Sequence, residues 1–125
     1  MATGLDNLKI YKMAEDLEVR VHQLTNGFPK DERFRSVDQL KRSASSVTNN
    51  IAEGYNKQSL KEKIHIFNDI VKGEAEETKR NLAVCIRKEF HKDAKIVEDY
   101  TELIKAISGY TKFLRGQNLK LTTNN

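Results

Sequence analysis

The chain has 125 residues, which is enough for one domain with a substantial core but too few for two, so we predict a single domain over residues 1–125. Charged residues make up 32% and hydrophobic residues 38%, with one proline and six glycines, and this composition favours a helical protein over a β-rich one. The 22 basic and 18 acidic residues give 22 − 18 = +4, a mild charge that suits an anionic partner without requiring one.

The first predicted element is an amphipathic helix. Its apolar residues recur at spacings of three or four, which places them on one helix face: Ile10, Met13, Ala14, Leu17, Val21 and Leu24. Asn26 and Gly27 suit a left-handed C-terminal cap, and Pro29 prevents the helix from continuing. We therefore expect the first turn near residues 26–29.

The second predicted helix carries two stripes. The apolar stripe consists of Val37, Leu40, Ala44, Val47, Ile51 and Tyr55. A polar stripe beside it consists of Gln39, Arg42 or Ser43, Ser46, Asn50 and Glu53. Gly54 is a suitable residue to end the helix.

Two further helices follow. Ser59 and Glu62 have the spacing of a capping box, which starts a third helix that runs to about Lys88. Its predicted inner face consists of Leu60, Ile64, Phe67, Val71, Ala75, Thr78, Leu82 and Cys85. Asp93 is the expected N-cap of the fourth helix. The apolar stripe of that helix consists of Ile96, Tyr100, Leu103, Ile107, Tyr110 and Leu114, with Gly116 just past the end of the helix and a frayed tail over about 117–125.

Four amphipathic helices with short connections predict an all-α fold, an antiparallel up-down-up-down four-helix bundle. No run of apolar residues is long enough to cross a membrane, and the N-terminus lacks a signal core. The lone Cys85 cannot form an internal disulfide, so we predict a cytoplasmic protein in which this residue is a core thiol.

Small residues of the second helix suggest a close approach of the third helix. Ser43, Ala44, Ser45 and Ser46 are all small, and Gly73 falls at the height where antiparallel pairing would bring it against them. We define a polar seam from this region and the polar stripe: Gln39, Arg42, Ser46, Asn50, Glu53, Gly54, Gly73 and Glu77. One interpretation is a structural or interfacial network, with Glu74 or Glu77 meeting Arg42, and the other is plain solvent-facing surface.

The sequence offers no catalytic, cofactor or metal site, and we expect a protein that is not an enzyme. Glu62 and His65 match the E-x-x-H spacing of di-iron bundles, but such sites need a second copy and two further inward glutamates. Glu62 is better interpreted as a capping residue and His65 as a solvent-facing side chain. No Gly-rich phosphate loop and no nucleophile motif is present.

Basic residues gather at two predicted turns. The candidate nucleic-acid contacts are Lys57, Lys61 and Lys63 after the second helix, and Arg87, Lys88, Lys92 and Lys95, with His91, after the third. Clustered Lys and Arg bind phosphates weakly and without sequence preference. Cations near helix C-termini also complement the helix dipole, so each cluster alone has an ordinary structural explanation.

Three segments resemble a known family: FPKDERF at residue 28, DQLKRSASSVTNNIAEGY at residue 38 and IFNDIVKGEAEETKRNL at residue 66. They are similar to the 23S rRNA intervening-sequence proteins, also called the four helix bundle protein family. The run Asn50 to Gly54 is the most recognisable part, whereas Thr48 stands where the family pattern has proline and Glu74 where it has serine.

The resemblance implies a small, basic, non-enzymatic bacterial bundle without cofactors. It also implies similarity to accessory proteins of diversity-generating retroelements, which form ring-shaped homopentamers and bind nucleic acid and a reverse transcriptase. The first hypothesis is therefore a pentameric RNA- or DNA-binding module with weak sequence preference. The alternative is an oligomeric protein-interaction scaffold, such as a reverse-transcriptase accessory subunit.

Overall fold

The computed structural model describes residues 4–123, with side chains through residue 117, and consists of four long helices. The first helix spans Lys9–Thr25, the second Asp38–Tyr55 and the fourth Ala94–Thr123. The third covers residues 60–87 in three consecutive segments, the α-helix Leu60–His65, the π-helical turn Ile66–Val71 and the α-helix Lys72–Arg87. No strand occurs within residues 4–123, so the predicted all-α class is confirmed.

All four helices contribute to one apolar core. Its most deeply buried large side chains come from the predicted stripes: Val21, Leu40, Val47, Ile51, Phe67, Val71, Leu82, Ile96, Tyr100, Leu103 and Ile107. Each such side chain contributes about 1.5–3 kcal/mol on burial, so the stripes supply most of the driving force for folding. The core thiol Cys85 is buried as predicted, and burial raises its pKa.

The third helix departs from a regular α-helical pattern at the π-helical turn Ile66–Val71. A π-helical turn contains more residues than an α-helical one, so neighbouring positions can face the same side. Ile66 and Phe67 are both buried here, although only Phe67 belongs to the predicted stripe. The stripe members before the turn, Leu60 and Ile64, are only half-buried.

Both predicted N-caps are present. The Glu62 N–H donates to the Ser59 hydroxyl oxygen at 3.3 Å, and the Ile96 N–H donates to Asp93 Oδ1 at 3.0 Å. The left-handed cap predicted at Gly27 is wrong, because no described glycine has a positive φ. The left-handed residue is instead Glu89, with φ of 64°, just past the third helix.

Two glycines do not end helices as predicted. The second helix continues past Gly54 to Tyr55, and the fourth continues past Gly116 to Thr123. The last two residues of the predicted tail, 124–125, lie outside the described residues. Gly54 serves packing instead, since a Cβ there would lie 2.9 Å from Ile66 Cγ2 and 3.0 Å from Phe67 Cε2.

The connections between helices define two regions. The first connection contacts the third, because the Phe28 ring lies 5.6 Å from the ring of Phe90 and 5.8 Å from that of His91. We call residues 26–37 and 87–93 the two-turn end. We call residues 53–63, where the second helix turns into the third, the single-turn end. None of the described helices is long and apolar enough to span a membrane.

Candidate nucleic-acid interface

The connection between the first and second helices is built from two short helical turns. Pro29 precedes a 3-10 turn, Lys30–Glu32, and a π-helical turn, Arg33–Val37, leads into the second helix. The buried Glu32 carboxylate accepts a hydrogen bond from the Ser36 hydroxyl at 3.0 Å. This bond ties the two turns together and fixes where the side chains between them project.

Two phenylalanines in this connection have opposite environments. Phe28 is 8% exposed and packs against the other connection, whereas Phe34 is 84% exposed, more than any other large apolar side chain that the structure describes. Leaving a phenylalanine in water forgoes about 1.5–3 kcal/mol of burial free energy. Arg33 and Arg35, on either side of Phe34, are exposed as well.

His91 has a structural role in the second connection. It is buried, its Nε2 lies 2.9 Å from the Leu82 carbonyl oxygen, and its Nδ1 accepts from the Asp93 N–H at 3.1 Å. Because Nδ1 accepts, Nε2 is the nitrogen that donates to Leu82, and the imidazole is the neutral tautomer. His91 therefore joins the third helix to the start of the fourth, and does not add to the basic cluster in which the sequence placed it.

Three of the predicted cations lie at the two-turn end without ion pairs to any described residue. Arg87, Lys88 and Lys92 are exposed, and Lys88 Nζ lies 6.0 Å from the centre of the Phe90 ring. Lys88 and Ser36 also line one small cavity of about 40 Å³, which places the end of the third helix beside the π-helical turn. The two connections therefore present one continuous region.

Lys95 differs from these cations because it is neutralised within the chain. Its Nζ lies 2.6 Å from Asp99 Oδ1, and this hydrogen bond and the Asp99 charge raise the pKa of Lys95. Asp99 also accepts from Arg20 at 2.6 Å. A hydrogen bond from Lys95 and, to a smaller extent, one from Arg20 lower the pKa of the Asp99 carboxyl.

Three further cations at this end were missed by the sequence-based prediction. Lys30, Arg33 and Arg35 are exposed and form no ion pair in the part of the chain that the structure describes. They lie between the predicted turn at residues 26–29 and the second helix, where the sequence alone predicts no contact with a partner. The available signal was an aromatic residue between two arginines, outside every apolar stripe. The exposed acids of the two-turn end are Asp31 and Glu89.

Two of the three lysines at the single-turn end contact groups of the chain itself. Lys63 Nζ donates to the Tyr55 carbonyl oxygen at 2.7 Å and lies 5.2 Å from the Tyr55 ring centre, so it closes the second helix. Lys57 Nζ lies 3.8 Å from Glu53 Oε1. Only Lys61 of the three is exposed and without a partner among residues 4–123.

The second-helix part of the polar seam lies mostly at the surface. Gln39, Arg42 and Glu53 are exposed, and Arg42 Nε pairs with Asp38 at 3.0 Å. The predicted Arg42 contact with Glu74 or Glu77 is therefore wrong within the chain. Half-buried Asn50 donates to the Ser46 backbone carbonyl at 2.8 Å and the Ser46 hydroxyl at 2.9 Å.

The third-helix part of the seam does not form the predicted close approach. Gly73 is exposed, and a Cβ added there would meet nothing within 4 Å. The buried polar contact between these helices is instead the bond from Thr78 Oγ1 to Ser43 Oγ, at 2.8 Å. Half-buried Glu77 lies near Glu74, whose pKa is raised by burial and by the Glu77 charge.

The E-x-x-H pair lies on the surface. His65 is exposed, and its Nδ1 lies 2.7 Å from Asp69 Oδ2. A hydrogen bond from Asn68 and, to a smaller extent, one from His65 lower the pKa of Asp69. Within residues 4–123, no group of three or more His, Cys, Asp or Glu side chains is placed to hold a metal ion.

Comparisons with known proteins identify the family. A family model described as 23S rRNA-intervening sequence protein matches residues 6–114. A crystal structure from Bacteroides thetaiotaomicron, described as a protein with unknown function from the S23 ribosomal protein family, is similar with a TM-score of 0.74 and 28% identity. The match covers 82% of this chain and 95% of that one. No curated protein matches the chain. The chain therefore belongs to the 23S rRNA-intervening sequence protein family.

Proposed function

We propose that the protein is a non-enzymatic, cytoplasmic nucleic-acid-binding module whose contact surface is the two-turn end. The observation that carries this proposal is the set of exposed cations without ion pairs to described residues: Lys30, Arg33, Arg35, Arg87, Lys88 and Lys92. Cations without an ion pair contribute the most binding free energy when they contact phosphates, because binding releases condensed counterions from the nucleic acid. Contacts of this kind position a backbone and carry little sequence preference.

We further propose that the helices form an up-down-up-down bundle that assembles into a ring-shaped homopentamer, as the family resemblance implies. The contact between the first and third connections supports this topology. A ring of five chains would carry about 5 × 4 = +20 and repeat the two-turn end on one rim. The open surface at Gly73 and the shallow groove along Ser45, Ser46 and Asn49 leave room for a neighbouring subunit.

The experiment is a binding titration of labelled RNA across salt concentrations with two matched triple variants. The first, Arg33→Gln/Arg87→Gln/Lys92→Gln, removes cations of the two-turn end. The second, Lys57→Gln/Lys61→Gln/Lys63→Gln, removes the same charge from the single-turn end.

We expect the first variant to weaken binding by about tenfold or more at low salt and to reduce the salt slope by roughly two to three. The second should change affinity by less than about threefold, since Lys57 and Lys63 already contact groups of the chain itself. Binding by the wild type that does not weaken as salt rises, or equal effects of the two variants, would contradict the proposal.

The alternative function is a protein-interaction scaffold, such as a reverse-transcriptase accessory subunit. It is favoured by exposed apolar side chains on the helices themselves, Val19, Val84 and Phe113. A scaffold would retain its protein partner when the two-turn end is neutralised. Co-purification of the first triple variant with a reverse transcriptase, together with unchanged RNA affinity, would favour this alternative.

A further inference from the structure

We propose that Phe34 is a stacking platform for an unpaired base, so that the two-turn end binds single-stranded nucleic acid in preference to a duplex. This inference rests on the proposed function and specifies its substrate class. The observation that motivates it is an aromatic ring, 84% exposed, between two exposed arginines.

Contacts within the connection fix the backbone that carries Phe34. The π-helical turn Arg33–Val37 continues directly into the second helix, and the Ser36 bond to Glu32 ties it to the turn before. Phe28 anchors the start of the connection against Phe90. Because the backbone that carries the ring is already held in place, less backbone freedom is lost on binding, which favours a stacking contact.

The charges around Phe34 match the chemistry of a single strand. Arg33 and Arg35 are placed to contact phosphates while the ring meets a base, and every base has a π-face to offer. In a duplex the internal base faces are already stacked on one another, so the ring has no free base face to stack on. Phe34 therefore distinguishes the two forms, whereas the arginines alone would not.

A second copy of this chain is a less suitable occupant of the same ring. Two copies meeting at Phe34 would bring Arg33 and Arg35 of each against the other, and like charges oppose such a contact. Phe113 offers a matched comparison, since it is 57% exposed but packs beside Tyr110, with ring centres 6.1 Å apart. We use it as the control position.

The test compares oligo-dT with an abasic strand of the same length, which keeps the phosphates but lacks bases. Phe34→Leu retains an apolar side chain and removes the ring, and Phe113→Leu is the matched control. We expect Phe34→Leu to weaken oligo-dT binding about tenfold and to leave abasic binding unchanged. Phe113→Leu should bind both strands as the wild type does.

A fluorescence measurement provides an independent readout. The chain has no tryptophan, so Phe34→Trp introduces a single fluorophore at the proposed platform. We expect Phe34→Trp to bind oligo-dT with wild-type affinity, and we expect oligo-dT to quench the tryptophan fluorescence. Neither the abasic strand nor a duplex should quench it comparably.

Several results would overturn the inference while the proposed function stands. One is salt-dependent binding that Phe34→Leu leaves intact, and another is equal affinity for oligo-dT, abasic strand and duplex. A change in solution mass on Phe34→Leu, with oligo-dT affinity unaltered, would show that the ring meets another copy of the chain. Absence of binding to every nucleic acid would overturn the inference and the proposed function together.

Discussion

The two ends of the bundle use their basic residues differently. At the single-turn end, Lys63 closes the second helix by donating to Tyr55 and Lys57 lies beside Glu53. At the two-turn end, Arg87 and Lys92 project into solvent without ion pairs to described residues. A count of basic residues in each turn does not separate these cases, because the difference lies in which partners the fold supplies. The comparison therefore favours the two-turn end as the surface for the proposed anion binding.

The largest expected effect tests whether the two connections act as one unit. Phe28→Ala should lower the free energy of unfolding by about 3–4 kcal/mol, because it removes the buried ring that joins them. Phe34→Ala is the control and should change it by less than about 0.5 kcal/mol. Chemical denaturation monitored by circular dichroism measures both. Similar losses for the two variants would show that Phe34 is also part of the packing.

Close packing at the single-turn end gives the next largest effect. Gly54→Ala should cost about 1–2 kcal/mol, because the new Cβ would collide with the buried Ile66 and Phe67. Gly73→Ala should instead stabilise the chain by about 0.5–1 kcal/mol, since its surroundings are open and alanine favours helix. Denaturation and solution mass should be measured together. A smaller assembly for Gly73→Ala would mean that a neighbouring subunit covers this glycine.

A smaller effect concerns how the third helix ends. The Phe90 N–H donates to the Cys85 carbonyl and the Glu89 N–H to that of Ile86, both at 2.9 Å, which leaves Glu89 in a left-handed conformation. Glu89→Gly should stabilise the protein by about 0.5–1 kcal/mol by relieving this strain. Glu89→Ala removes the same charge but keeps the Cβ, so it should show no such gain in thermal unfolding. Equal stability of the two variants would contradict the explanation.

The smallest effect changes the charge beside the two-turn end. Asp99→Asn frees Lys95 from its carboxylate partner, whereas Arg20 keeps Asp93 at 3.7 Å, so RNA affinity at low salt should rise by about twofold. Because the folded-state pKa of Asp99 is lowered, its ionised form stabilises the protein at pH values above the usual pKa of a carboxyl group. That contribution disappears as pH falls through the lowered pKa. The difference in unfolding free energy between wild type and Asp99→Asn should therefore be present at neutral pH and vanish in acid.

The general fold was predictable because periodicity and caps are local properties. Ser59 and Asp93 cap their helices as expected, and the predicted stripes form most of the core. The role of Gly54 was not predictable in the same way, since it depends on where Ile66 and Phe67 lie on another helix. Helix-ending glycine is the usual local interpretation, and tertiary packing overrode it.

The candidate site was predictable only in part. Arg87, Lys88 and Lys92 were predictable as clustered cations. That Lys95 and Lys63 differ from them was not, because it depends on the contacts of Lys95 with Asp99 and of Lys63 with Tyr55. The missing half of the site, from Lys30 to Arg35, lies in a connection whose geometry no periodic pattern describes. The polar seam around Asn50 was predicted to be either a structural or interfacial network or plain surface. The sequence of one chain does not choose between them, because an interface depends on how chains assemble.

The π-helical turn at residues 66–71 has a consequence for changes in chain length. Such a turn is equivalent to one residue inserted into an α-helix, and it absorbs the insertion locally. Deleting one residue there should restore regular α-helix and leave both flanking segments facing as they do now. A deletion elsewhere in the third helix would rotate one flank by about 100° relative to the other. The segment is thus the one place where this helix tolerates a change of length without turning its buried side outward.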